Sequence, residues 1–359
     1  MKRSARRNGI SATESTLIGV DLGTTGCRSL VFDQDLHRLG EAYSPYPLHR
    51  ISETRYEQDA EQWWRVTLDV LVRSVTESGV PADSVRAIGI SSQGIAFVPV
   101  DAGLKPLHPA MSWLDTRASR QRQEILQRFS EEAVFRCTGK RVSEVYVLPK
   151  LLWLRDHEPG VYRRTQRFLM AHDFIAARLA GSAVTDHSLA GGTLLYDVVH
   201  QVWWDEALRE FDIDPGRLPE IRWAGTPAGE IDRQAAQRLR LPIGTVVAVG
   251  GQDQKCAALA AGLRLGRAAV SLGTAAAVTT RHEVPVLDQA MRVPCFSDVL
   301  PGRWVLEGVI GTACAALDWL KRSFFADMSY ADLDSLVSSA YSDASRGAVM
   351  FLPHLAGAS

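Results

Sequence analysis

The sequence predicts an α/β protein of two domains, and three observations carry this. The chain has 359 residues, more than one hydrophobic core usually organises. Short apolar runs that read as strands alternate with amphipathic stretches of helical period. One local unit, a strand, a Gly-Thr turn and a return strand, occurs twice. It is Val20-Asp21-Leu22-Gly23-Thr24-Thr25 early in the chain and Val270-Ser271-Leu272-Gly273-Thr274-Ala275 late in it.

The first sixteen residues are polar and basic with no apolar run, so a disordered leader is expected over 1–16, not a secretory signal. A start codon assigned too far upstream would produce such a leader. Strands are expected over 17–20, 28–32 and 42–46, the first two joined by a Gly-containing turn. Asp59 caps a helix whose apolar side is Trp63, Trp64, Thr67, Leu68, Leu71 and Val75. Its tryptophans read as core packing. A strand is expected over 85–91, with 97–100 as its neighbour. Helices are expected from Asp115 to about 128 and over 150–155, 173–179 and 203–211.

A second centre begins near Gly244. It comprises a strand over 245–249, the turn Gly250-Gly251-Gln252-Asp253, and a small-residue helix over 255–261. Strands over 268–272 and 275–280 enclose the second Gly-Thr turn. Helices over 311–324 and 330–341 and an apolar run over 349–352 follow.

Hydrophobic residues make up 46% and charged residues 23%, with a formal net charge of −1. This is the balance of a soluble globular chain, and it argues against bulk nucleic-acid binding. No apolar run approaches the roughly 18 residues that span a bilayer. Cys27, Cys137, Cys256, Cys295 and Cys314 are odd in number and lack zinc or redox spacing. They read as reduced thiols of a cytoplasmic protein. The nine histidines show neither metal spacing nor a triad arrangement.

The paired turns point to phosphate. Glycine lets backbone approach an anion closely, exposed turn N–H groups form an anion-binding concavity, and threonine adds a hydroxyl. Thr24, Thr25, Gly273 and Thr274 are therefore phosphate candidates, with Arg28 adding charge. Asp21 ends a strand beside the first turn, the edge at which open α/β sheets hold ligands. A carboxylate beside phosphates calls for a divalent cation between them, so Asp21 is assigned to Mg²⁺. Asp253 opens a helix after a polar turn, and either caps that helix or serves as a base for an attacking hydroxyl. For Asp115 and Arg117, an internal salt bridge and a substrate contact are both open on spacing alone.

Taken as a set, these segments resemble the FGGY carbohydrate kinases. The matching residues are Gly19 to Thr25 with Arg28, Glu57-Gln58-Asp59 before Trp63-Trp64, and Ile88 to Gly94. Trp113-Leu114-Asp115-Thr116-Arg117, Pro149 to Trp153, Gly250 to Gln254 and Ser271 to Thr274 complete the set, in the family's order. The resemblance implies a ribonuclease H-like, actin-like ATPase fold. Residues 17–255 would form the sugar-binding domain and 256–359 the start of the nucleotide-binding domain. It implies ATP and Mg²⁺ as cofactors, Asp253 as catalytic base and Asp21 at the metal. Gln93, Gly94, Asp115, Asp253 and Gln254 would meet a small sugar or polyol. A homodimer is compatible with this reading.

The chain departs from the family in two places. Xylulose kinases typically carry Met-His after the position of Gln93 and glycerol kinases Arg-Glu, whereas this chain has Gly94-Ile95. The family's sequences continue past the segment where this one ends, and its Gly-Gly-Gly adenosine motif occurs nowhere here. The expectation is a carbohydrate kinase with an incomplete second domain. The alternatives are a remnant that binds sugar but not ATP, and an actin-like ATPase.

Overall fold

The computed structural model describes residues 15–273, 276–341 and 351–352. Of the expected leader, residues 1–14 lie outside the described residues. Thr16 does not belong to a leader: it opens the first strand, with its hydroxyl buried against that of Ser84 at 3.0 Å.

The elements that position the site run as follows. Strands β1 (Thr16–Leu22), β2 (Gly26–Phe32) and β3 (Arg38–Pro45) form a meander. Helix α1 (Ala60–Ser78) and strands β4 (Val85–Ser92) and β5 (Phe97–Val100) come next. Then come α2 (Ser119–Arg128), α3 (Val147–His157), β6 (Arg167–Met170), α4 (Ala171–Ala180) and the single turn α5 (His187–Ala190). Strands β7 (Pro227–Glu230) and β8 (Val246–Gln252) lead into α6 (Asp253–Ala260). Last are β9 (Ala268–Leu272), β10 (Ala276–His282), β11 (Cys295–Ser297), β12 (Trp304–Ile310), α7 (Cys314–Phe324) and α8 (Tyr330–Tyr341).

The main sheet has the order β7-β8-β4-β1-β2-β3. Its centre is parallel, β8 with β4 and β4 with β1, while the outer pairs are antiparallel. Burial alternates along each parallel strand, so every second residue turns into the core. Ile18, Val20, Ile88, Ile90, Val247 and Val249 accordingly join one core with Trp63, Leu71, Phe174 and Ile175 of α1 and α4. Helix α1 buries Trp63, Trp64, Thr67, Val70, Leu71 and Ser74, the expected 3.6-residue stripe. The Asp59 side chain caps its start by accepting from the Glu61 amide, and Gly79 closes it in the left-handed conformation.

Four elements differ from the sequence expectation. The residues expected as a turn over 250–253 are the end of β8 and the first residue of α6, because the strand continues across its bulge to Gln252. Strand β5 does not neighbour β4 but pairs with β6 in a separate five-stranded sheet. Two apolar strands in succession give no signal for which sheet each joins. Helix α2 begins at Ser119, because Asp115 and Arg117 are drawn into a buried ion network before it. Trp203 lies in a short strand paired with Tyr196, and the helix after it spans Asp205–Glu210. Of the final apolar run, Phe351 and Leu352 are described without regular structure and 349–350 lie outside the described residues.

Strands β9, β10, β12 and β11 form a four-stranded antiparallel sheet. It is tied to the preceding part by polar contacts. The Lys255 ammonium pairs with the Glu307 carboxylate at 3.0 Å, and Lys140 donates to the Cys295 carbonyl at 2.9 Å. The Trp304 indole donates to the Val198 carbonyl at 2.7 Å. Val270, Leu272, Val309, Phe324 and Val337 in this second part are exposed.

Strand β3 crosses α1 at a glycine. A Cβ on Gly40 would stand 2.5 Å from the Ser74 carbonyl oxygen and 2.6 Å from the Ser78 nitrogen, both helix backbone. Gly40→Ala should therefore destabilise by about 2–3 kcal/mol in urea unfolding, since the helix must shift to admit the methyl. Gly160→Ala, in a short helix with open space around its Cβ, should be neutral or stabilising by up to about 1 kcal/mol. Equal effects from the two substitutions would contradict this packing.

Candidate active site

The parallel strands β1, β4 and β8 end side by side. Asp21 lies level with Ser91, Ser91 with Gly251, and Ser92 with Gln252. Two carboxylates the sequence placed far apart, Asp21 and Asp253, thus share the carboxyl edge of one sheet, where such folds bind ligands.

Asp253 is the first residue of α6. Its Oδ1 accepts from the Gln254 amide at 2.6 Å and from Gln252 Nε2 at 2.9 Å. No hydrogen-bond partner holds its Oδ2 among the described residues. Burial raises its pKa to about 6. The Gln254 amide and Lys255 oppose the shift, and the negative charges of Asp21 and Glu307 add to it. A carboxyl at a helix N-terminus is normally favoured as the anion; here desolvation outweighs that.

Asp21 is exposed, and its Oδ1 accepts from the Ser91 hydroxyl at 3.1 Å. The protein around it raises its pKa, opposed by that hydrogen bond and by Arg28. Arg28 lies directly across the β1–β2 pair from Asp21. Its guanidinium is engaged by the Glu41 carboxylate and lies over the Tyr43 ring, 5.4 Å from the centroid.

The first Gly-Thr turn is braced from behind. The Gly23 amide donates to the Gly26 carbonyl at 3.0 Å, and the Tyr46 hydroxyl donates to the Gly23 carbonyl. Gln58 Nε2 donates to the Thr24 carbonyl at 2.7 Å, and Trp113 Nε1 to the Thr24 hydroxyl at 2.9 Å. The backbone N–H groups of Thr24 and Thr25 have no partner among the described residues. They are the free donors an anion requires. In the second turn Gly273 is described, its carbonyl accepting from the Cys314 amide at 3.0 Å; Thr274 lies outside the described residues.

Gln93 is buried. Its amide donates to the Leu22 carbonyl at 2.9 Å and its Nε2 to Gln58 Oε1 at 3.0 Å, which leaves Oε1 buried and, among the described residues, unpartnered. Gln252 Oε1 is unpartnered in the same way. Gly94 packs on Gln252, whose Cγ would stand 3.1 Å from a Cβ there. This contact brings the Gln93 segment beside the junction of β8 and α6 that carries Asp253. Ile95 then adopts φ 68°, a left-handed conformation costly for a β-branched residue and typical of constrained ligand sites. Orphaned buried acceptors call for an external donor. Two amide oxygens beside a carboxylate suit a polyhydroxylated ligand.

Asp115 corrects the substrate set. It is fully buried, and its oxygens are occupied by the Arg117 guanidinium at 2.7–3.0 Å, the Arg117 amide at 3.2 Å and the Tyr56 amide at 2.8 Å. Arg117 also binds Glu57 at 2.6 Å and lies over the Trp153 ring, 4.9 Å from its centroid. Of the two readings left open for this pair, the internal salt bridge holds. The network supports the loop that presents Trp113 to Thr24. Gln252, Gln58 and Trp113 are the site residues that sequence reasoning left unassigned. Each belongs to one of the family-like segments, but only the fold shows what its side chain contacts.

The donors fit Mg²⁺ bound together with phosphate. Among the described residues no three His, Cys, Asp or Glu side chains gather into a closed metal site. A single exposed carboxylate such as Asp21 is what Mg²⁺ uses when phosphate oxygens and waters fill its other positions. The five cysteines are free, and burial holds the Cys256 thiol up at about 12, well away from reactivity at neutral pH. A separate cavity of about 640 Å³, lined by Arg167, His187, Gln201 and Trp203, lies outside this edge.

Residues 16–260 match the model of the FGGY family of carbohydrate kinases, N-terminal domain. The chain belongs to the FGGY family of carbohydrate kinases. A xylulose kinase of Lactococcus lactis subsp. lactis (strain IL1403) is 30% identical over 344 residues, covering 95% of this chain and 68% of the relative. An autoinducer-2 kinase of Salmonella typhimurium is 27% identical over 317 residues, covering 87% of this chain and 59% of the relative. The crystal structure of a xylulose kinase from Rhodospirillum rubrum superposes with a TM-score of 0.89 at 25% identity, covering 95% of this chain and 70% of that one. The chain thus spans about two-thirds of the length of such FGGY relatives. The fold is the ribonuclease H-like, actin-like ATPase fold of that family.

The raised pKa of Asp253 sets a stability test. Its folded value, about 6, exceeds the ordinary 3.8, so the native state holds a proton that the unfolded chain releases first. That favourable contribution is complete below about 3.8 and is lost as pH rises through about 6. Asp253→Asn removes the dependence. Urea unfolding should find the variant gaining about 2 kcal/mol on wild type between pH 4 and pH 7.5. A difference that stays constant with pH would show that Asp253 titrates normally.

Proposed function

We propose that the carboxyl edge of the main sheet transfers the γ-phosphoryl group of ATP to a hydroxyl of a small sugar or polyol. The observation that carries this reading is the Asp253 carboxylate. One oxygen is held and the other is open, its pKa is raised to about 6, and two unpartnered amide oxygens stand near it.

Asp253 accepts the proton of the attacking hydroxyl, and a base titrating near neutrality does this best. Gln93 and Gln252 accept hydrogen bonds from other substrate hydroxyls, with Gln254 next to the base. Gly94 and Ile95 offer no polar side chain, which leaves room for the substrate and gives hydroxyl recognition to the glutamines. The free Thr24 and Thr25 amides bind phosphate oxygens, and Arg28 adds its charge when it leaves Glu41. Gly273 and Thr274 take the same role from the second turn. Mg²⁺ at Asp21 supplies the charge that lets phosphate oxygens lie beside carboxylates. The chain's own contribution is positioning and a preformed set of donors.

Relatives bearing the name xylulose kinase make a ketopentose the first substrate to try. ATP consumption across a panel of ketoses and polyols should rise on addition of the right sugar. Asp253→Asn should lower kcat by about 1,000-fold. Because the base must be ionised, kcat/KM should fall tenfold per pH unit below about 6 and level off above it. Full activity in Asp253→Asn, or calorimetry that finds sugar binding without ATP binding, would overturn the proposal for this chain.

A further inference from the structure

We propose that His172 and Ser188 are positioning residues that set the direction of Asp253 by holding the two backbone N–H groups on either side of Gly251. The inference rests on Asp253 being the reactive carboxylate of the site.

Strand β8 leaves its ladder with β4 just before the site. Ala248 pairs with Gly89 and Gly251 with Ser91, so Val249 and Gly250 together face Ile90 alone. This is a β-bulge, a device that re-aims the residues following it. At its centre the two backbones come so close that a Cβ on Gly250 would collide with the Ile90 carbonyl.

A buried backbone N–H that leaves a ladder needs another acceptor. Gly250 donates to His172 Nε2 at 3.0 Å. An amide can only donate, so Nε2 carries the lone pair and the ring proton sits on Nδ1. There it faces Asp173 Oδ1 at 3.1 Å, while Asp173 Oδ2 accepts from the Met170 amide at 2.9 Å. His172 and Asp173 are both fully buried. The tautomer is therefore imposed by its surroundings, and the ring has one acceptor, spent on the strand.

Two residues on, the same arrangement recurs with different chemistry. The Gln252 amide donates to Ser188 Oγ at 2.9 Å, and that hydroxyl donates to Asp186 Oδ1 at 3.0 Å. Asp186 is anchored by the Ser188 and Leu189 amides, each at 2.9 Å. Each relay runs from a buried carboxylate through a side-chain acceptor to a strand amide. Together they bracket Gly251, which has no room for a side chain against Val299 and Asp186. Asp253 follows directly, its Oδ1 held by Gln252 Nε2. Losing either acceptor frees the bulge to slip, and a displacement of about 1 Å at a reacting group can cost about 100-fold in rate.

The test uses the full chain with His172→Phe, His172→Gln, Ser188→Ala and Ser188→Thr. Gln can return an acceptor near the Nε2 position, and Thr returns the hydroxyl. Hydrogen exchange read by NMR should quicken about tenfold or more at Gly250 in His172→Phe and at Gln252 in Ser188→Ala. Exchange at Ile18 and Val20 of β1 should hold. Where the sugar turns over, both variants should lose kcat by about 10–100-fold with KM for ATP within about twofold, and Gln or Thr should recover most of it. Uniform acceleration across the sheet, or wild-type exchange at both amides, would overturn the assignment, as would wild-type kcat in both disruptive variants. If the wild-type chain does not phosphorylate any sugar, the functional reading fails while the exchange data still decide this one. If His172→Phe does not fold, Ser188→Ala and His172→Gln carry the decision.

Discussion

The close approach of β8 to β4 is the constraint on which the rest of the site depends. Because Gly250 lies against the Ile90 carbonyl, the strand bulges and Gly251 comes level with Ser91, itself level with Asp21. One backbone contact that only glycine permits thus brings the two carboxylates to a common edge. Side chains from α4 and α5 take up the Gly250 and Gln252 N–H groups at the bulge.

Electrostatics then distinguishes the carboxylates. Asp115 is saturated by donors and serves structure. Asp21 stays exposed with one oxygen held by a hydroxyl, the state of a group that can take a cation. Asp253 is held on one side only and raised to about 6 by burial, the state of a group that can take a proton. Like residues acquire unlike protonation behaviour from desolvation and donor count. The buried Lys255–Glu307 pair links the helix that starts at Asp253 to β12, so Asp253 and the second sheet are mechanically connected. Breaking such a pair would strand a buried charge, which makes that connection a firm one.

Much of this protein was determined by its sequence alone. Periodicity and turn chemistry located most strands and helices, including α1, α8 and both Gly-Thr hairpins, because these depend on neighbours within a few residues. The positions of Asp21 and Asp253 at the ends of strands were legible, and the order of the motifs carried the family. The tertiary structure alone decided what depends on distant pairing. It assigned β5 to a different sheet from β4, delayed α2 to Ser119 by drawing Asp115 and Arg117 into a buried network, and filled the Asp115 oxygens with internal donors. It also aimed Gln58, Trp113 and Gln252 at the site and placed His172 under Gly250. Local spacing carries no information about which segments meet across a fold, and burial, orphaned acceptors and shifted pKa values exist only once they have met.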